Sequence, residues 1–118
     1  MERMIETDKL PAYALAMYIQ GENPPLVIYL TEPVVLGRAG AITQQMHLDL
    51  SPYNAAEMGV SRQHALFRRG DNVTIEDMSS TNGTWLNGSL LQPYQPAVLH
   101  SGDDLRLARL EMEVYIPE

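Results

Sequence analysis

Apolar positions recur along this chain in short runs with a period of two, and no stretch shows the three-to-four spacing of an amphipathic helix. In residues 73–77 Val73 and Ile75 alternate with Thr74 and Glu76, a strand with the two apolar side chains turned inward. Leu26–Leu30, Val34–Leu36, Met46–Leu50, Ala65–Arg69 and Val98-Leu99 read as further strands from their β-branched, aromatic or alternating content. Tyr13–Gln20 is open between strand and helix because of its Ala and Met content, and Ala55–Met58 suggests a helical turn before Gly59. Gly21 to Pro25, Gly70-Asp71-Asn72 and Ser101 to Asp104 are turn signals. Near the end the parity changes: Leu105 and Leu107 are odd, whereas Leu110, Met112, Val114 and Ile116 are even. A period of two cannot serve both sets, so a tight turn or bulge is expected at Ala108-Arg109, with Arg109, Glu111 and Glu113 facing water. The expectation is an all-β fold, an antiparallel β-sandwich of about ten to eleven short strands with functional loops at one end. Residues 1–10 are expected to form a mobile N-terminal arm and residues 11–118 the domain.

The richest polar stretch runs from Asp77 to Gly88. It reads as a strand end, a tight loop over Ser79, Ser80, Thr81, Asn82 and Gly83, a short strand at Thr84-Trp85-Leu86, and a hairpin turn at Asn87-Gly88. Small hydrogen-bonding side chains at the tip of a rigid β frame are where function is expected.

Composition narrows the classes. At 118 residues and 45% apolar content the chain can bury one core. It has no cysteine, so neither disulfides nor thiolate metal sites are available, and His47 and His100 have no partner at ligand spacing. No cofactor or metal is expected. A net charge of −7, with Lys9 the one lysine, argues against a nucleic-acid surface, and the apolar stretch around Leu10–Ile19 is broken by Pro11. A soluble, cytoplasmic protein with no nucleic-acid or membrane partner is expected. Any bound anion must be held by a few well-placed groups.

Four loop motifs appear in order: Gly37-Arg38, Ser61-Arg62-Gln63-His64, Ser80-Thr81-Asn82-Gly83 and Asn87-Gly88. In this order and spacing the chain resembles the forkhead-associated (FHA) domain family, the phosphothreonine-binding β-sandwiches, from about Tyr13 to Ile116. The resemblance implies that Arg38 aims its guanidinium at a phosphothreonine phosphate. It implies that Ser61 donates its hydroxyl and N–H to the same phosphate, with Arg62 as a second cation and Thr81 completing the ring of donors. Asn82 is then expected to hydrogen-bond the ligand main chain, while Gly37, His64, Gly83 and Asn87 support the site. The chemistry suits the anion: a phosphothreonine carries about −1.5 to −2 charge and three acceptor oxygens, which an arginine fork and neutral hydroxyls can satisfy. No nucleophile–base pair is evident, so the chain is not read as an enzyme.

The function implied is a phosphothreonine-peptide-binding interaction module in bacterial-type Ser/Thr kinase signalling, its partner a threonine-phosphorylated protein or peptide. The alternative is a constitutive β-sandwich scaffold or assembly domain with a vestigial phosphate site. A further reading gives Thr7 in the arm, once phosphorylated, as an internal competitor for the site. Residues 39–60 are longer than in many family members, and Tyr53 within them either meets peptide or packs.

Overall fold

The computed structural model describes residues 7–117. Most of the expected arm, residues 1–6, lies outside the described residues; Thr7–Lys9 form a single 3-10 turn closed by Leu10 N–H to Thr7 O at 3.1 Å.

Eleven strands form two sheets. They are β1 (Ala14–Ile19), β2 (Leu26–Tyr29), β3 (Val34–Gly37), β4 (Met46–Asp49), β5 (Ala65–Arg69), β6 (Val73–Asp77), β7 (Thr84–Leu86), β8 (Ser89–Leu90), β9 (Ala97–Val98), β10 (Asp103–Leu107) and β11 (Leu110–Tyr115). The order is β2-β1-β11-β10-β7-β8 in one sheet and β4-β3-β5-β6-β9 in the other. The ambiguous Tyr13–Gln20 segment is a strand. Its six residues Ala14–Ile19 are all buried, so no polar face marks the period. Pairing is antiparallel apart from β3 and β4, which run parallel with Val34 opposite Met46 and Gly37 opposite Asp49. A parallel neighbour needs a return connection, and residues 38–45 supply it.

The parity switch is where the pattern put it. Ala108 takes φ +54°, and β10 returns as β11 with Leu107 opposite Leu110, which leaves Leu105, Leu107, Leu110, Met112 and Val114 all buried. Arg109 and Glu111 are exposed, whereas Glu113 is half-buried and accepts the Tyr115 hydroxyl at 3.0 Å. Between the sheets Leu15, Met17 and Ile19 pack with Leu36, Phe67 and Ile75. Phe67 is the largest fully buried side chain, and its truncation to alanine would cost about 3–5 kcal/mol. Tyr53 is half-buried against this core, which favours packing as its role. In place of a helix at Ala55–Met58 there is a run of turns after the 3-10 segment Ser51–Tyr53. Among the described residues no helix is long and apolar enough to cross a membrane.

The sandwich delivers the β3–β4, β4–β5, β6–β7 and β10–β11 connections to one end. They are stitched there by backbone bonds: His64 N–H to Leu36 O at 2.8 Å, Met78 N–H to His64 O at 2.9 Å, and Ala108 N–H to Gly83 O at 2.9 Å.

Candidate functional site

Gly37 closes β3 against the β4–β5 loop so tightly that a Cβ there would sit 1.9 Å from the Arg62 carbonyl oxygen; only glycine fits. That approach lets the Arg38 N–H donate to Ser61 O at 3.1 Å, which ties the first arginine beside the first serine. The Arg38 guanidinium is half-buried and oriented by its Nε, which donates to Val60 O at 2.9 Å. Among the described residues its two terminal amino groups have no partner and no carboxylate pairs with it.

Ser61 is fixed from two sides. Its N–H donates to His64 Nδ1 at 2.9 Å, and its Oγ accepts the Thr81 N–H at 3.1 Å, leaving the hydroxyl proton to donate outward. Arg62 is exposed; its backbone carbonyl accepts from His47 Nε2 at 2.9 Å, and its side chain lies against Gly40. Arg38 and Arg62 thus place two cations on a chain of net charge −7.

His64 is fully buried and spends both ring nitrogens on the loops. Nδ1 accepts from Ser61, so Nε2 carries the proton and donates to Gly83 O at 2.8 Å. Burial pushes its pKa below the usual histidine value, against the opposing pull of the Gly83 carbonyl and the nearby Asp77 carboxylate.

The β6–β7 loop is held from below by Asp77, which is buried. Its Oδ1 accepts the Ser80 hydroxyl at 2.5 Å and the Thr84 hydroxyl at 2.7 Å, and its Oδ2 accepts the Ser80 N–H at 3.1 Å. Ser80 Oγ in turn accepts the Gly83 N–H at 3.0 Å. With its base fixed, the loop presents Thr81 and Asn82 to solvent. Asn82 Nδ2 donates to Gly59 O at 2.9 Å, and its Oδ1 has no partner among the described residues. Gly83 takes φ +88°, and Trp85 and Leu90 fill the space where its Cβ would stand.

Arg38, Ser61, Thr81 and Asn82 are therefore brought together, with Gly37, His64 and Gly83 under them and Arg62 on the flank. Asn87 is placed differently. It links the β7–β8 turn to β10, donating to Asp103 Oδ1 at 3.0 Å and accepting the Asp104 N–H at 2.9 Å, at the end of β7 away from Thr81. Two contributors escaped the sequence reading. Asp77 was read only as a strand end, although its spacing to Ser80 is that of a side-chain-to-backbone turn. Arg109 was read only as a solvent-facing residue. Its N–H donates to Met58 O at 3.0 Å and its Nη2 donates to Glu57 O, so the β10–β11 turn braces the β4–β5 loop.

The arrangement can hold an anion through a guanidinium, a serine hydroxyl and neighbouring loop donors, and can pair an extended backbone through Asn82. It is not arranged for nucleophilic chemistry. His64 meets the Ser61 backbone N–H and not its hydroxyl, and has no free ring nitrogen to act as a base.

A family profile described as FHA domain matches residues 34–108. The chain is 32% identical over 84 residues to the E3 ubiquitin-protein ligase rnf8 of Danio rerio, across 70% of this chain and 16% of that protein. It is 37% identical over 57 residues to the oxoglutarate dehydrogenase inhibitor of Corynebacterium jeikeium, across 48% of this chain and 38% of that protein. A solved structure from a study of phosphothreonine-dependent FHA domain interactions superposes with a TM-score of 0.62 at 27% identity, covering 89% of this chain and 98% of that one. The chain spans well under half the length of these two curated relatives.

Proposed function

The chain belongs to the FHA domain family, and on that premise we propose that it is a phosphothreonine-dependent protein-interaction module without catalysis. The observation that carries the reading is the pairing of Arg38 and Ser61. A backbone bond of 3.1 Å holds them side by side, each with side-chain donors that have no partner among the described residues. Arg38 takes two phosphate oxygens, the Ser61 hydroxyl a third contact, Thr81 completes the ring, and Arg62 adds charge from the flank. Asn82 offers its free Oδ1 to a main-chain N–H of the ligand. Gly37, His64 and Gly83 hold these groups in place, and Asn87 does so at one remove. Residues 11–118 form the binding unit, its partner is a threonine-phosphorylated protein, and neither nucleic acid nor membrane is engaged. The setting proposed is bacterial-type Ser/Thr kinase signalling in the cytoplasm; what supports its bacterial part is a Corynebacterium protein among the relatives.

Calorimetric titration with a threonine peptide in phosphorylated and unphosphorylated form tests this. Binding of the phosphorylated form alone is expected; equal affinity for both would overturn it.

A second reading, phosphate-independent assembly, is favoured by one feature. Tyr29 on the edge strand β2 is 55% exposed and packs on Tyr13 with ring centroids 5.8 Å apart. A partner that binds an Arg38→Ala/Ser61→Ala variant unchanged would select it. Thr7 as an internal competitor is less favoured on distance. The register Ala16 opposite Tyr115 and Ile19 opposite Met112 puts the start of β1 at the end of the sandwich away from Ala108-Arg109. Six strand residues span about 20 Å, and the seven steps from Thr7 to Ala14 reach about 23 Å only when fully extended.

A further inference from the structure

A groove of about 520 Å³ crosses the outer face of the six-stranded sheet, lined among others by Tyr18, Gln20, Trp85, Asp104, Arg106 and Glu111. It begins where the candidate site ends. The Trp85 ring is 2.8 Å from the point a Gly83 Cβ would occupy, directly after Asn82, and the same ring lines the groove. Arg109, which braces the β4–β5 loop, lines it too.

Its charges are arranged unusually. Arg106 stands directly opposite Glu111 across β10 and β11, the register at which opposite charges normally pair. Yet its guanidinium lies 4.1 Å from the centre of the Trp85 ring, and its Nη1 donates to Ala108 O at 3.2 Å. Arg109 is likewise engaged, with Glu57 O. One register position along, Asp104 stands opposite Glu113, a like-charged pair. The cations lining the groove are thus turned to other partners, while the Asp104 and Glu111 carboxylates have none among the described residues.

We propose that this groove docks the flank of the same phosphorylated partner, selecting lysine or arginine side chains about four to six residues from the phosphothreonine. The inference rests on the phosphothreonine reading of the neighbouring loops and adds a second, charge-complementary contact to it. Asp104 and Glu111, both exposed, receive the charged ends of such side chains. One continuous partner segment runs from Asn82 past Trp85 into the groove.

The test compares three phosphothreonine peptides bound to the full chain. One carries two lysines four to six residues before the modified threonine, one carries them after it, and one has alanines throughout. One lysine peptide is expected to bind about three- to tenfold tighter than the alanine peptide at low salt. That advantage should vanish in the Asp104→Asn/Glu111→Gln variant and near 0.5 M salt, where screening shortens to about 4 Å. The alanine peptide should bind the variant and the parent alike. Equal affinity for all three peptides, or a lysine advantage that survives the double substitution, overturns the groove. Arg38→Ala separates the two readings: it should weaken every phosphopeptide, and failure there sinks the phosphothreonine site itself.

Discussion

Ser61 and His64 are joined through the chain's own backbone: the Ser61 N–H donates to His64 Nδ1 at 2.9 Å, while the other ring nitrogen holds Gly83 O at 2.8 Å. The bond requires a neutral imidazole. Protonating Nδ1 sets two N–H groups against each other and frees the serine of the proposed anion site.

A pH dependence of stability follows. Histidine in the unfolded chain titrates near 6.5, and burial places the folded-state value lower. Between the two the unfolded chain binds the extra proton, so stability rises with pH across that window. The His64 contribution is complete above about pH 6.5 and is lost as pH falls through the folded value. Urea unfolding between pH 7.5 and 5 should show this decline, and His64→Gln should be less stable at neutral pH with a flatter profile. Parallel curves for the two proteins would contradict it.

Arg38→Ala should cost a charge-assisted contact of about 1.5–3 kcal/mol, about ten- to a hundredfold in affinity for a phosphothreonine peptide. Its effect on stability should stay below about 1.5 kcal/mol, because the fold loses one bond, to Val60 O. Parent binding should also weaken below about pH 6, where the phosphate takes up its second proton. Titration calorimetry against a denaturation curve for the same variant separates affinity from folding.

Gly37→Ala should be among the most damaging single-methyl additions. The new carbon would meet the Arg62 carbonyl at 1.9 Å, backbone against backbone, with no flexible side chain to give way. A loss of about 3 kcal/mol or more is expected, or failure to fold. Gly70→Ala is the control, because nothing lies within 4 Å of its Cβ position. A thermal melt of each distinguishes them.

Asp77→Ala should act on binding without touching ligand. It leaves Ser80 and Thr84 without their shared acceptor and releases the base of the Thr81–Asn82 loop, at a cost of about 3 kcal/mol in stability. Affinity should fall while Arg38 and Ser61 remain in place. Amide exchange of Ser80 and Gly83 should quicken in the variant, and unchanged protection would count against the role.

Much of this was legible in the sequence because the signals are local. Hairpin turns announce themselves by Gly and Asn, and the switch from odd to even apolar positions located Ala108-Arg109 without a partner strand in view. The identity of β1 was not legible because burial on both faces of Ala14–Ile19 erases the alternation that marks a strand. Nor was the parallel β3–β4 pair, since chain direction leaves no mark on which residues are apolar. The converging motifs flagged Arg38, Ser61, Thr81 and Asn82, whereas Asp77 and Arg109 work from beneath and beside them. The bond from Arg109 to Glu57 joins residues far apart in the chain, which no local pattern encodes.

Gly83 O takes donors from both halves of the sandwich at once, the ring of His64 from one sheet and the Ala108 amide from the other. That single oxygen works as a rivet: the loop cannot lift from either layer without breaking a bond to it. On the proposed function, this end of the protein holds its shape before a ligand arrives, and little of the binding energy would be spent on reshaping the receptor.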